Sequence, residues 1–262
     1  MTKLQWAVIA GALALFLVLY LGCDRKPEDI ASLETSRALS VESTDINLVI
    51  QEAKEALKPA QRSLVLGLEQ NLESTLEDTN RVALYKELSG EWYQLQRFSI
   101  AGYYAQQVAE VEPTEGSWSI AGTTYSICAQ RTKEEKIKEF CANRAVNAFE
   151  NAISLNPGNV ANRVNLALTY TSNPPPDNPM KGVLMLRTLN QEEPNNVLVL
   201  NALGRLSIRT GQFDNAVKRL NAALDSEPEN ATTICLLAQA YEGAGNAEQA
   251  TVFAEQCRQM RQ

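Results

Sequence analysis

The chain has 262 residues, 24 Lys and Arg against 31 Asp and Glu, and a formal net charge of −7. That balance, without a basic stripe interleaved with aromatics, argues against nucleic-acid binding, which needs clustered cations to release counterions from a polyphosphate. The absence of histidine removes Ser-His-Asp and Cys-His catalysis, His-ligated zinc and imidazole pH switches, so the chain reads as a non-enzyme with no cofactor and no metal.

Aromatics make up only 6% of the chain, and straight-chain helix formers dominate, which points to an all-α fold. The first element is an apolar run of 20 residues from Leu4 to Cys23 in which only Gln5 is polar. A hydrocarbon core about 30 Å thick needs ~20 helical residues, so residues 1–23 read as a transmembrane span or a signal and anchor segment. The residues before Cys23 resemble a bacterial lipobox: Gly22 fits, whereas Tyr20 and Leu21 depart from the usual Leu and small residue. Cys23 is the lipidation candidate on that reading, and an uncleaved span is the alternative. Lys3 and the α-amine oppose Arg25 and Lys26, which leaves the charge rule for orientation undecided. The short leader before the run resembles a signal anchor with its C-terminal side exported, so the remainder is expected on the periplasmic side of a membrane.

Residues 24–81 read as a charged tether followed by a helical pair. Ser43, Thr44 and Asp45 are cap-forming residues ahead of "INLVIQEAKEAL", where Leu48, Ile50, Ala53 and Leu57 predict an apolar face. Pro59 suits the first turn of a second helix carrying Leu64, Val65, Leu68 and Leu72.

Beyond residue 82 an internal period emerges. Pro113, Pro157, Pro194 and Pro228 are separated by 44, 37 and 34 residues. Aligned on Pro228, the preceding segment carries Leu200, Leu203, Gly204, Gly211, Phe213, Ala216, Leu220 and Ala223. Small residues such as Gly204 and Ala216 let two antiparallel helices approach, and leucines fill the space beside them. The same order recurs with Tyr85, Leu88, Trp92, Phe98, Ala101 and Ala105, with Trp118, Ala121, Gly122, Tyr125, Ala145, Phe149 and Ala152, with Leu166, Ala167 and Tyr170, and with Leu237, Ala238, Tyr241, Gly245 and Ala250. The pattern resembles the tetratricopeptide repeat (TPR), a helix-turn-helix of about 34 residues that stacks into a solenoid. Five repeats are read at 82–114, 115–159, 160–196, 197–230 and 231–262. "VNLALTY", "NPMKGVLMLR" and "LGRLSIRTGQFDNAV" are similar to text of bacterial membrane-anchored TPR proteins of unassigned role.

Two repeats carry insertions. In "QRTKEEKIKEF", Thr132 and Glu135 have capping-box form, which predicts a helix starting near Lys133 and a stabilising Glu134 to Lys138 pair. The longer hairpin is either a partner contact or a solvated extension. Pro174, Pro175 and Pro176 end the third repeat's first helix and form either a stiff spacer or a polyproline ligand.

Besides Cys23 there are Cys128, Cys141, Cys235 and Cys257. A hairpin centred between residues 134 and 135 would set Cys128 level with Cys141, whereas a turn at Thr132 offsets them by about 7.5 Å along the helix axes, too far for an unstrained bond. The capping box favours the second register, so this disulfide is not expected.

The TPR resemblance implies a protein or peptide partner held on the first helices of the repeats. Carried over position by position, the groove falls on Lys86, Tyr93 and Gln94 in the first repeat and on Ser119, Thr123 and Ser126 in the second. In the fourth it falls on Asn201, Arg205 and Arg209, and in the fifth on Gln239 and Glu242. The cations among them suit an acidic segment or a terminal carboxylate, and ordinary solvated surface is the alternative. No solvating helix follows the last repeat, which suggests self-association there. The layout is also similar to TPR lipoproteins of envelope assembly machinery. A helical enzyme using paired carboxylates, the third reading, rests on acidic composition alone.

Overall fold

The computed structural model describes Gln5 and residues 44–260. The chain divides into residues 1–43 and 44–262, and all but one of the described residues belong to the second unit. The apolar run and Cys23 therefore lie outside the described residues. Within the described part, no helix is long and apolar enough to cross a membrane.

Every regular element described is a helix, and there are twelve: α1 (Ile46–Glu55), α2 (Pro59–Ser74), α3 (Asp78–Gln94), α4 (Phe98–Val111), α5 (Glu115–Arg131), α6 (Glu135–Leu155), α7 (Val160–Ser172), α8 (Lys181–Glu192), α9 (Val197–Arg209), α10 (Phe213–Ser226), α11 (Ala231–Gly243) and α12 (Ala247–Gln259). From α3 onward they form five antiparallel pairs, and each pair packs on the next. The proline period has a local cause. Each proline sits just beyond a helix end, and one or two residues later Thr114, Asn159, Asn196 or Asn230 caps the following helix. Their side-chain oxygens accept from backbone N–H groups that have no intrahelical acceptor, at 2.9 to 3.1 Å for Thr114 to Ser117, Asn159 to Ala161, Asn196 to Leu198 and Asn230 to Thr233.

The turn between the two helices of a repeat has its own rule. Its left-handed residue is Gly211 (φ 71°) in the fourth repeat and Gly245 (φ 77°) in the fifth, as glycine's missing Cβ permits. In the first repeat the same position is Gln96, at φ 58°.

Trp92, Leu88, Tyr125, Phe149, Leu186, Leu220 and Leu237 are fully buried, so the large repeat residues fill the seams between helices. Close approach at Gly182 is enforced by backbone: an added Cβ there would collide with the Ala167 carbonyl oxygen.

α1 and α2 cap the first repeat through Ile50, Ala53 and Val65, which join Tyr85, Leu88 and Trp92 in one cluster. Leu48 and Leu64, expected on the apolar faces, are instead 57% and 48% exposed. The contact stripes run through Ile46, Val49, Ile50 and Ala53 on α1 and through Val65, Leu68 and Leu72 on α2, and both leucines fall beside them.

The second-repeat hairpin differs from expectation in three linked ways. Thr132 closes α5, its N–H reaching the Cys128 carbonyl at 2.9 Å, and Glu134 is the cap of α6, which starts at Glu135. Lys138 therefore pairs with Glu135 at 3.1 Å, one residue along from the Glu134 expected. Cys128 and Cys141 are disulfide-bonded, with Cα atoms 5.9 Å apart. Thr132 and Glu134 are extended, with ψ of 146° and 114°, and an extended residue advances about 3.3 Å against 1.5 Å in a helix. The extended turn residues make the offset between the two cysteines smaller than a helical rise through the turn would give. A second bridge joins Cys235 of α11 to Cys257 of α12, with Cα atoms 4.9 Å apart.

Candidate partner-binding face

The first helices of repeats two to five, α5, α7, α9 and α11, lie side by side. Their polar residues divide into two sets, one joining neighbouring helices and one left at the surface.

Ser119 donates to Asn162 Oδ1 at 2.7 Å, and Ser126 meets Thr169 at 3.1 Å, joining α5 to α7. Asn162 is wholly buried and also donates to the Glu115 carboxylate, which receives Asn159 at 2.8 Å. Asn201, expected at the groove, is only 6% exposed. Its Oδ1 accepts from the Thr233 hydroxyl at 2.9 Å, and its amide reaches Asn230 Oδ1 at 3.5 Å, joining α9 to α11. A buried amide with satisfied partners has little left for a ligand.

The other positions are scattered. Lys86 is exposed and 3.3 Å from Glu112. Tyr93 is 45% exposed, its ring edge-on to Phe98 with centroids 5.1 Å apart. Gln94 and Thr123 are exposed. Arg209 donates to the Thr171 carbonyl at 3.2 Å, tying α9 to the end of α7. Arg205 and Gln239 are brought together. Both are exposed and line a cavity of about 410 Å³ with Ala231, Thr232, Cys235 and Leu236. Gln239 and Glu242 also border a neighbouring hollow of about 420 Å³ walled by small residues of α11 and α12.

One feature had no signal in the repeat pattern. Val49 and Glu52 of α1, the α3–α4 turn around Gln96 and Phe98, and the α5–α6 turn at Arg131 and Glu134 enclose about 630 Å³. Arg131 lies over the Phe98 ring, 5.4 Å from its centroid.

Residues 208–256, which hold the α9–α10 turn, α10, α11 and most of α12, match the family model described as tetratricopeptide repeat. Over those residues the chain carries the tetratricopeptide repeat. No curated protein matches it. Among solved structures, it is similar to MamA, at 15% identity, over 67% of this chain and 89% of that one, with a TM-score of 0.41. It is also similar to YrrB, described as a TPR protein with an unusual peptide-binding site, at 14% identity, over 72% and 90%, with a TM-score of 0.37. A chain of the APC/C hetero-tetramer Cut9–Hcn1 is similar at 16% identity, over 75% of this chain and 36% of that one, with a TM-score of 0.50. At 16% identity the Cut9–Hcn1 likeness is one of fold alone.

Proposed function

We propose that this TPR chain is a membrane-tethered scaffold that holds an acidic protein or peptide segment against α9 and α11, on the oxidising, periplasmic side of a bacterial membrane. The observation that carries the partner is the Arg205 and Gln239 cavity. The polar side chains joining α9 to α11 are satisfied by one another, while Arg205 stands exposed with no ion-pair partner among the described residues. A planar guanidinium at the mouth of a cavity suits a carboxylate.

Two disulfides support an oxidising compartment, because cytosolic thiols are kept reduced. The tether rests on the apolar run from Leu4 to Cys23. Mass spectrometry of the mature N-terminus distinguishes a lipidated Cys23 from an uncleaved span. Affinity capture from crosslinked membranes tests the partner: Arg205→Glu with Arg209→Glu should remove bound proteins that the unmodified chain retains, with helicity unchanged. An unchanged set of captured proteins would sink the reading. Self-association through α12 is tested separately by light scattering of the detergent-solubilised chain.

A further inference from the structure

Repeat five is held together differently from the other cystine-bearing repeat. α12 has 13 residues and none of them is buried, whereas α6 buries Phe140, Ala145, Phe149 and Ala152 among others. The cluster formed by Leu220, Leu236, Leu237 and Ala240 receives Phe253 from α12, stacked on Tyr241 with centroids 5.5 Å apart. A helix this short, with so little covered surface, is marginal by itself in water. The bond between Cys235 and Cys257 supplies what burial does not.

The two bridges also differ in access. Cys128 and Cys141 are 3% and 0% exposed. Cys235 and Cys257 are half-buried, and Cys235 faces the open cavity it shares with Arg205. Thiol–disulfide exchange needs a thiolate to reach one sulfur, and it accelerates when the departing thiolate is stabilised, as by a neighbouring cation.

We propose that the Cys235–Cys257 bridge is an exchangeable clasp that a dithiol opens, releasing α12 from α11. One thiolate of the dithiol attacks Cys257 Sγ, forming a mixed disulfide, and Cys235 departs as a thiolate beside Arg205. The second thiol of the dithiol, as its thiolate, then attacks the dithiol's own sulfur in the mixed disulfide and expels Cys257. The bridge gains two electrons, both cysteines take up protons, and the dithiol leaves as its own disulfide. Release uncovers the side of α11 under Phe253, so that surface of α11 has an oxidised and a reduced form. This inference stands apart from the partner assigned to the groove.

The test uses the full chain in detergent micelles, titrated with dithiothreitol, with freed thiols alkylated and located by peptide mass spectrometry. The Cys235–Cys257 bridge should open at least about tenfold faster than Cys128–Cys141, and Arg205→Gln should slow the first without changing the second. Amide exchange read on the same samples should show α12 losing protection by about tenfold or more on reduction while α6 keeps its own. Cys235→Ser with Cys257→Ser should reproduce the exposed α12 without any reductant. Equal opening rates for the two bridges overturn the exchangeable site. A reduced chain in which α12 stays protected overturns the clasp, and an unchanged rate in Arg205→Gln removes the part given to that guanidinium.

Discussion

At the N-terminal end of the array, α1 and α2 lay Ile50, Ala53 and Val65 against the face containing Trp92. Beneath them Lys54 reaches Glu69 at 2.8 Å, and the Tyr104 hydroxyl donates to the same carboxylate at 3.1 Å. At the other end no residue of α12 is fully buried, and the helix is bonded through Cys257 to α11. The first pair is held on the array by non-covalent surface and a shared carboxylate, and α12 is held on α11 by the half-buried Phe253 and a covalent link.

Truncating the aromatic at each end separates packing from the covalent link. Trp92→Ala should cost about 3–5 kcal/mol in denaturant unfolding, because Trp92 is wholly buried. Phe253→Ala, at a half-buried position, should cost about 1–2 kcal/mol. Equal losses would mean that the C-terminal end is closed by packing after all.

The polar half of the N-terminal cap is probed by Tyr104→Phe, which should cost about 1.5–3 kcal/mol at neutral pH, a hydrogen bond to a charged group. Burial, then the charge and hydrogen bond of Glu69, push the Tyr104 hydroxyl well above the usual tyrosine range. Above the ordinary value near 10 the unfolded chain therefore holds fewer protons than the folded one, and stability falls as pH rises. The variant lacks that slope, so the two stability curves should converge between about pH 10 and 12. Parallel curves across that range would remove Tyr104 from the cap.

A smaller effect compares one turn position in two repeats. Gln96→Gly should stabilise by about 0.5–1 kcal/mol by relieving a left-handed side-chain residue, and Gly245→Gln should destabilise by about 1 kcal/mol. Thermal unfolding reads both signs. The smallest effect is at Lys86, whose pair with Glu112 is half exposed on both sides. Lys86→Ala should change stability by less than about 0.5 kcal/mol, which makes it a clean variant for capture experiments.

Much of the fold was legible in advance, because TPR helices announce themselves locally. Prolines mark helix ends, Asn and Thr caps restart the chain one or two residues later, and small residues recur where helices touch. The candidate face was less legible. Asn201 and Arg205 both lie on α9, only four residues apart, yet one is buried against Thr233 and the other faces a cavity. Helical spacing places them on neighbouring parts of one surface, and only the adjacent repeat decides which is covered. Ser119 and Ser126 met the same fate, taken up by Asn162 and Thr169 from α7. The cavity lined by Val49, Phe98 and Arg131 joins three stretches of chain that no period relates.

Helix type, the repeat and the residues that fill its seams follow from local chemistry, since these depend on side-chain size, capping and backbone preference within about 34 residues. The tertiary structure alone decided which cysteines meet and which polar groups stay free. Both depend on distances across helices, and two extended residues at Thr132 and Glu134 were enough to bring Cys128 to Cys141.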